Sequence, residues 1–273
     1  MTKPMTQVFP VATTYNHAAD TFDAAPLGFW ERHGKKAVEL ARLRHGESVL
    51  DIGCGTGASA FPASQAVGPT GKVTGVDFAE KMIDVARRKA DEGRRRNVEF
   101  RCLDMRSMPF RERSFDAVIS VFSVFFVDDM EKLVADLWSL LKPGGRLVVT
   151  VWGPHAFEPG GPVFFEELER LGGSAPRGPV PWARLTTPDG LADLLVGGGA
   201  ADPEITSAED YQALIEPGDF WTLVMGSGFR GEVENLDPFA QRKLRKSVTG
   251  RVAAKGFSSI ATHAIHAVSS KRH

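Results

Sequence analysis

The stretch Gly46–Gly57, GESVLDIGCGTG, decides the fold. Val49, Leu50 and Ile52 form a short apolar run that ends in Gly53, Gly55 and Gly57, the pattern of a buried parallel strand entering a tight turn. Upstream, Phe29 to Leu43 (FWERHGKKAVELARL) sets Val38, Leu40, Ala41 and Leu43 among charges, as an amphipathic helix does. Downstream, Ala58–Val67 reads as a helix, with Pro62 tolerable only in its first turn. The alternation then repeats. Lys72–Asp77 is a strand, Glu80–Glu92 a helix with Met82, Val85 and Ala86 on one side, and Val98–Asp104 a third strand. Phe115–Val121 is a fourth strand, a helix follows around Met130–Leu141, KPGG at 142–145 turns the chain, and Arg146–Trp152 is a fifth strand. Strands and helices in this order predict right-handed βαβ units, hence an α/β protein with a parallel sheet covered on both faces.

Outside this core the rhythm changes. Residues 1–16 lack periodicity and are expected to form a mobile arm, and residues 1–45 together an arm and a lid helix. The core proper spans 46–152. A Gly/Pro-rich lid insertion with a helix at Val163–Leu171 fills 153–186, and the core continues over 187–214 with a helix at Asp189–Val196 and a sixth strand within Pro203–Leu214. A helical lid insertion at 215–258 precedes a final strand, Ile260–Ser269, in the segment 259–273.

Lys and Arg number 33 against 34 Asp and Glu, a net charge of −1, which argues against a broad nucleic-acid footprint. The densest charge, Arg94–Arg96, reads as a solvated helix end. Two cysteines, Cys54 and Cys102, make no disulfide scaffold, and both fall at ends of expected buried strands. No apolar run suits a signal peptide or a membrane span, so a reduced, cytoplasmic protein without a membrane span is expected.

A glycine turn after a strand lets backbone approach a ligand closely, and by itself it also suits a dinucleotide pyrophosphate or a plain structural turn. The acids around it narrow the choice. Asp51 would repel a pyrophosphate but suits a ligand bearing an ammonium and a sulfonium, as S-adenosylmethionine does. Asp77 ends the second strand, where a carboxylate can accept from ribose hydroxyls, a feature shared with NAD proteins. Asp104, beside Met105, ends the third, as a carboxylate reading an adenine amino group would. The three tips share the carboxyl edge, where parallel sheets bind ligands.

With VLDIGCGTG, VTGVDFAEKMIDVAR, SFDAVISVFS and LKPGGRLVVTVW in view, residues 47–152 resemble the class I S-adenosylmethionine-dependent methyltransferases, in particular the ubiquinone/menaquinone-type small-molecule group. The resemblance implies a Rossmann-like seven-stranded sheet, mostly parallel, whose antiparallel last strand is Ile260–Ser269. It implies that Gly53, Gly55 and Gly57 hold the methionine part of the cofactor and that Asp77 binds the ribose. Phe78 and Met82 would flank the adenine, Asp104 and Met105 contact its edge, and Ser120 lie near the amino acid end. Tyr15, an N-terminal aromatic, is a candidate to fold over the cofactor, or else an exposed or lid-packing residue.

Methyl transfer from a sulfonium is an in-line displacement, so the acceptor region needs a shaped apolar wall, with a base only where the acceptor must lose a proton first. Phe122, Phe125 and Phe126 follow the fourth strand and Trp152 ends the fifth; Phe157, Phe164, Phe165, Trp182, Phe220, Trp221 and Phe229 follow in the insertions. Such a wall favours an apolar or aromatic acceptor, although the same residues could build the lid's own core. Relatives often carry a histidine pair where this chain has Phe125-Phe126. His17 and His155 remain as bases, each also readable as a surface residue, while His263 and His266 look structural. Asp128-Asp129 reads as a helix cap in preference to a metal pair, and no metal is expected. The catalytic base stays unassigned. The expected function is methyl transfer to carbon or oxygen of a small hydrophobic or aromatic metabolite. The alternatives are a cofactor-binding protein that transfers no methyl, whether regulatory or using the sulfonium electrostatically, and an NAD-dependent oxidoreductase.

Overall fold

A computed structural model describes residues 11–173 and 182–272. In chain order the elements are α1 (Val11–Ala18), α2 (Phe29–Ala41), β1 (Ser48–Ile52), α3 (Ala60–Val67), β2 (Lys72–Asp77), α4 (Glu80–Glu92), β3 (Val98–Cys102), β4 (Phe115–Val121), α5 (Met130–Leu140) and β5 (Leu141–Trp152). There follow α6 (Gly160–Arg170), α7 (Pro188–Gly197), β6 (Glu204–Ala208), β7 (Tyr211–Ala213), α8 (Pro217–Met225), α9 (Arg230–Glu234), α10 (Pro238–Lys255), β8 (Ser259–Ala261) and β9 (Ala264–Ser270). Seven strands form one sheet in the order β3-β2-β1-β4-β5-β9-β6. β1 to β5 pair in parallel, and β9 runs antiparallel to both β5 and β6. The Rossmann-like α/β architecture expected from the sequence is the one observed.

The order reverses between β1 and β4, and the crevice at such a switch point is where open α/β sheets take ligands. Register fixes what meets there. Ile52 stands opposite Val76 on one side and Ser120 on the other, so the loop after β1 emerges between Asp77 and Val121. Val49, Leu50, Ile52, Val118 and Ile119 are fully buried, because strands covered on both faces require apolar residues throughout. Pro62 lies in the first turn of α3, where its missing N–H costs nothing. The Asp129 side chain accepts the Lys132 N–H at 2.9 Å, capping α5 as expected.

Three expectations need correction. The supposed arm is helical from Val11: α1 packs on α4, the Asn16 side-chain Oδ1 accepts from Lys81 N (2.9 Å), and His17 contacts Glu234 of α9 (2.8 Å). Residues 1–10 lie outside those described. The expected sixth strand, Pro203–Leu214, divides into β6 and β7, and the expected last strand, Ile260–Ser269, divides into β8 and β9. Only β6 and β9 join the large sheet; β7 and β8 pair with each other. The two breaks face one another through one residue. The Asp210 carboxylate accepts from Arg32 of α2 (3.1 and 2.7 Å) and from the Thr262 hydroxyl (2.5 Å), while its carbonyl accepts the Thr262 N–H (2.8 Å). A long-range ion pair bends both strands, which no local periodicity records. Lastly, Cys102 is exposed, whereas Cys54 is buried.

Candidate cofactor and acceptor site

Gly53, with φ +64°, opens the turn after β1. A Cβ there would lie 2.3 Å from the Ser123 Cβ, so only glycine lets the loop pass under the β4 tip. Gly55 donates its N–H to one Asp77 oxygen (2.9 Å), and Ala79 donates to the other (2.9 Å). The two N–H groups hold the carboxylate at the sheet edge and leave it lone pairs for further donors. Around this edge closes a cavity of about 60 Å³ lined by Tyr15, Phe22, Trp30, Gly53, Gly55, Asp77, Phe78, Met82, Met105, Val121, Phe122, Ser123 and Phe126.

Beneath the glycine turn, Asp51 is buried. One oxygen accepts the Ser59 hydroxyl at 2.7 Å, and the other has no partner. Burial, reinforced by the charge of Asp77, pushes its pKa up to about 7. Burial raises Asp77 as well. Two buried acids, one with a bare oxygen, make a site that attracts cations and repels phosphates.

The roof is aromatic. Phe122, left-handed at φ 52°, turns its ring onto Trp152, with centroids 3.8 Å apart and planes 16° apart. A bulky residue in that conformation is strained, and it stands here at the lip of the crevice. Trp30 packs on Trp152 (5.6 Å) and stacks on Phe22 (5.0 Å, 7°), and Tyr15 meets Phe126 edge-on (5.6 Å). Its buried indole nitrogen gives Trp30 an unpartnered donor on this roof.

Residues 49–145 match the family model described as a methyltransferase domain. Aklanonic acid methyltransferase DauC of Streptomyces sp. (strain C5) is 37% identical over 140 residues, which is 51% of this chain and 64% of that protein. The demethylmenaquinone methyltransferase of Lactococcus lactis is 40% identical over 152 residues, 54% of this chain and 60% of that one. Over the matched residues the core resembles that of the class I S-adenosylmethionine-dependent methyltransferases. Among solved structures, the YcgJ protein of Bacillus subtilis superposes with a TM-score of 0.59 at 21% identity, covering 89% of this chain and 99% of that one, a likeness of fold alone. The chain spans less than two thirds of the length of the two curated relatives.

The methyltransferase core has the features that S-adenosylmethionine requires. The bare oxygen of Asp51 lies buried beneath the glycine turn, outside the cavity wall, where its charge suits an ammonium at the turn. Asp77 retains lone pairs for the ribose diol, and Phe78, Met82 and Met105 offer apolar contact for a purine. At about 60 Å³ the cavity is smaller than the sites that hold a nucleoside, and Tyr15, Phe22 and Trp30 are the side chains that narrow it.

Of the residues expected at the site, Tyr15, Gly53, Gly55, Asp77, Phe78, Met82, Met105, Phe122 and Phe126 come together in the cavity wall. Gly57, at the same turn, lines a neighbouring groove of about 440 Å³ that shares Phe22 and Trp30 with it. Others are placed differently. β3 ends at Cys102, and Asp104 lies two residues beyond it, half-exposed and held by Arg106 in a forked ion pair that keeps its carboxyl low. Ser120 is buried behind Ser123: their hydroxyls meet at 2.6 Å, and Ser123 in turn donates to the Ile52 carbonyl (2.8 Å). Trp152 backs Phe122 and does not line the cavity. Phe125 packs on Trp182 (5.4 Å), and Trp221 sits in the core of α8. Phe157, Phe164 and Phe165 gather round Phe229, so these insertion aromatics build the cap's own core. His155 is exposed and bonded to Glu158 (3.1 Å), away from the cavity. Phe22, Trp30, Val121 and Ser123 escaped the sequence reading. Trp30 and Phe22 precede or open an ordinary amphipathic helix, and only its position over the turn reveals their use. Among the described residues no His/Cys/Asp/Glu group could hold a metal.

Proposed function

We propose that this protein transfers the methyl group of S-adenosylmethionine to carbon or oxygen of a small aromatic or otherwise hydrophobic metabolite that reaches the site already ionised. The observation that carries this reading is the aromatic cavity wall of Phe122, Trp30 and Phe126, with Phe122 stacked from behind on Trp152. Bound S-adenosylmethionine supplies an electrophilic methyl on a sulfonium. The chain's part is to exclude water and hold a planar acceptor in line, which is where proximity yields its rate. Relatives named for aklanonic acid and for demethylmenaquinone, both aromatic ring systems, support the class of acceptor.

Among the described residues the lining carries, besides the Trp30 indole N–H, three protic or ionisable side chains, those of Tyr15, Ser123 and Asp77. Burial and the Asp77 charge push the Tyr15 phenol up, so it stays protonated and donates. Ser123 spends its proton on Ile52, and Asp77, held by two backbone donors, has its remaining lone pairs directed to the ribose diol. None is placed as a strong base, which favours acceptors whose own acidity gives the nucleophile: an acidic phenol, the enol of a 1,3-dicarbonyl, or a carboxylate. Calorimetric titration with S-adenosylhomocysteine, repeated on Asp77→Ala, tests the cofactor half, and methyl-labelled cofactor with a panel of hydroxyquinones, acidic phenols and aromatic acids tests the rest. Binding weakened by the substitution, with label entering the acidic acceptors, is expected. Tight binding with no label in any acceptor would refute methyl transfer.

A further inference from the structure

The order β3-β2-β1-β4 sets the groups of the carboxyl edge in a line. Phe78 and Met105, apolar contacts for a purine, follow β2 and β3, and Asp77, the acceptor for the ribose, ends β2. The glycine turn follows β1, and Ser123 stands two residues past the end of β4. β2 and β4 are two strand spacings apart, about 10 Å. A cofactor with its ribose on Asp77 and its purine toward β3 therefore carries its amino acid end across the turn toward Ser123. There the wall has to offer the ammonium an acceptor, because Asp51 lends its charge from beneath the turn, outside the wall.

Ser123 has the geometry of that acceptor. Its side chain occupies the space that a side chain at Gly53 would need: a Cβ on Gly53 would lie 2.3 Å from the Ser123 Cβ and 2.7 Å from its Oγ. The hydroxyl from the β4 tip thus stands over the turn itself. Its single proton goes to the Ile52 carbonyl at 2.8 Å. Ser120, fully buried on β4, has its hydroxyl 2.6 Å from the same oxygen and must be the donor in that bond. Ser120 takes one lone pair of Ser123 and leaves one, so toward a ligand this hydroxyl can accept and cannot donate. Donation to a carbonyl also polarises the O–H and strengthens its oxygen as an acceptor. The other side-chain oxygens of the described wall are engaged elsewhere. Those of Asp77 serve Gly55, Ala79 and the ribose, and the Tyr15 hydroxyl turns toward the cap, 3.6 Å from where a Cβ on Gly228 would lie.

We propose that Ser123 holds the ammonium of the cofactor, and that Ser120 is the positioning residue that fixes its hydroxyl as an acceptor. Ser120 is the residue that the family resemblance sets near the amino acid end, and its part there is indirect, one hydroxyl removed. A ligand with hydrogen in place of the ammonium would leave the Ser123 lone pair unmet and the Asp51 charge unanswered. The inference concerns the cofactor and does not depend on which acceptor is methylated.

The test is calorimetric titration near neutral pH with S-adenosylhomocysteine and with its deaminated analogue, which keeps the carboxylate and loses the ammonium. The parent is expected to prefer S-adenosylhomocysteine. Ser123→Ala should bind it about ten- to a hundredfold more weakly, the worth of one hydrogen bond to a charged group, and should bind the analogue as the parent does. Ser123→Cys, which keeps the shape but offers a poor acceptor, should show the same selective loss in part. Ser120→Ala should lose severalfold, again for S-adenosylhomocysteine alone. Unchanged S-adenosylhomocysteine affinity in both Ser123 variants would overturn the proposal. So would losses equal for the two ligands, which would mean that Ser123 only shapes the turn, or a parent that holds the analogue as tightly as S-adenosylhomocysteine. A parent that binds neither ligand would refute the cofactor reading itself, which sets that failure apart from the others.

Discussion

Replacing Asp51 by Asn should make the free protein more stable and its cofactor site worse. Asp51 is 1% exposed, with one oxygen satisfied by Ser59 and the other bare. Its pKa rises from 3.8 to about 7 on folding, chiefly from burial. A group raised in this way contributes fully below its unfolded value and loses that contribution as pH climbs through the folded one. At about 1.4 kcal/mol per pH unit, ionised Asp51 therefore costs the fold roughly 4 kcal/mol at pH 8. Asn keeps the acceptor for Ser59 and removes the charge, but buries an amide N–H₂ whose missing partners cost about 1–2 kcal/mol. The net expectation is a gain of about 2 kcal/mol at pH 8, or on the order of 4–8 °C in Tm for a chain of this size. At pH 4 the sign should reverse to a loss of about 1–2 kcal/mol, because the native carboxyl is already protonated and only the amide's unmet donors remain. S-adenosylmethionine affinity should fall about ten- to a hundredfold at pH 8, the worth of one hydrogen bond to a charged group. Thermal denaturation at both pH values, alongside calorimetric titration, checks all of this. A variant less stable than the parent at pH 8, or one that binds the cofactor unchanged, would refute the assignment of Asp51 as a strained counter-charge.

Two further outcomes follow from the same region. Gly53→Ala places a Cβ 2.3 Å from that of Ser123 at φ +64° and should cost roughly 3 kcal/mol, whereas Gly55→Ala, whose Cβ would meet Phe22 at 3.4 Å, should cost about 1 kcal/mol; urea denaturation of the pair compares them, and equal losses would remove the close-approach argument. Burial drives the His266 pKa down to about 3, with neighbouring His33 also lowered, so His266 supports the fold fully above its unfolded value near 6.5 and progressively less as pH falls toward 3. Because Asp51 has the opposite sign over the same range, His266→Gln should flatten the acid loss of stability by about 1.4 kcal/mol per pH unit and Asp51→Asn should steepen it, which denaturant titrations between pH 4 and 7 would show.

The relation between sequence and structure differs from element to element. β2, α4 and β4 fall on the residues expected of them, since each is a run whose apolar period is set by one covered face or two. The glycine turn was equally legible, because the need for left-handed backbone and close approach is written in residue type. What failed was whatever depended on a distant partner. Asp104 looks like a strand-tip ligand until Arg106 holds it, and Ser120 looks like the exposed tip until Ser123 covers it. Pro203–Leu214 and Ile260–Ser269 each read as one strand, and only the meeting of Asp210 with Arg32 and Thr262 divides them.

The sequence by itself determined the parallel sheet, the turn at its switch point and the placing of Asp51 and Asp77 around that turn, because these rest on local period, glycine and charge. Tertiary structure alone decided which aromatics roof the crevice and that Trp30 and Phe22 close it. Those facts belong to side chains brought together from far apart in the chain, and burial and pairing exist only after the chain has packed.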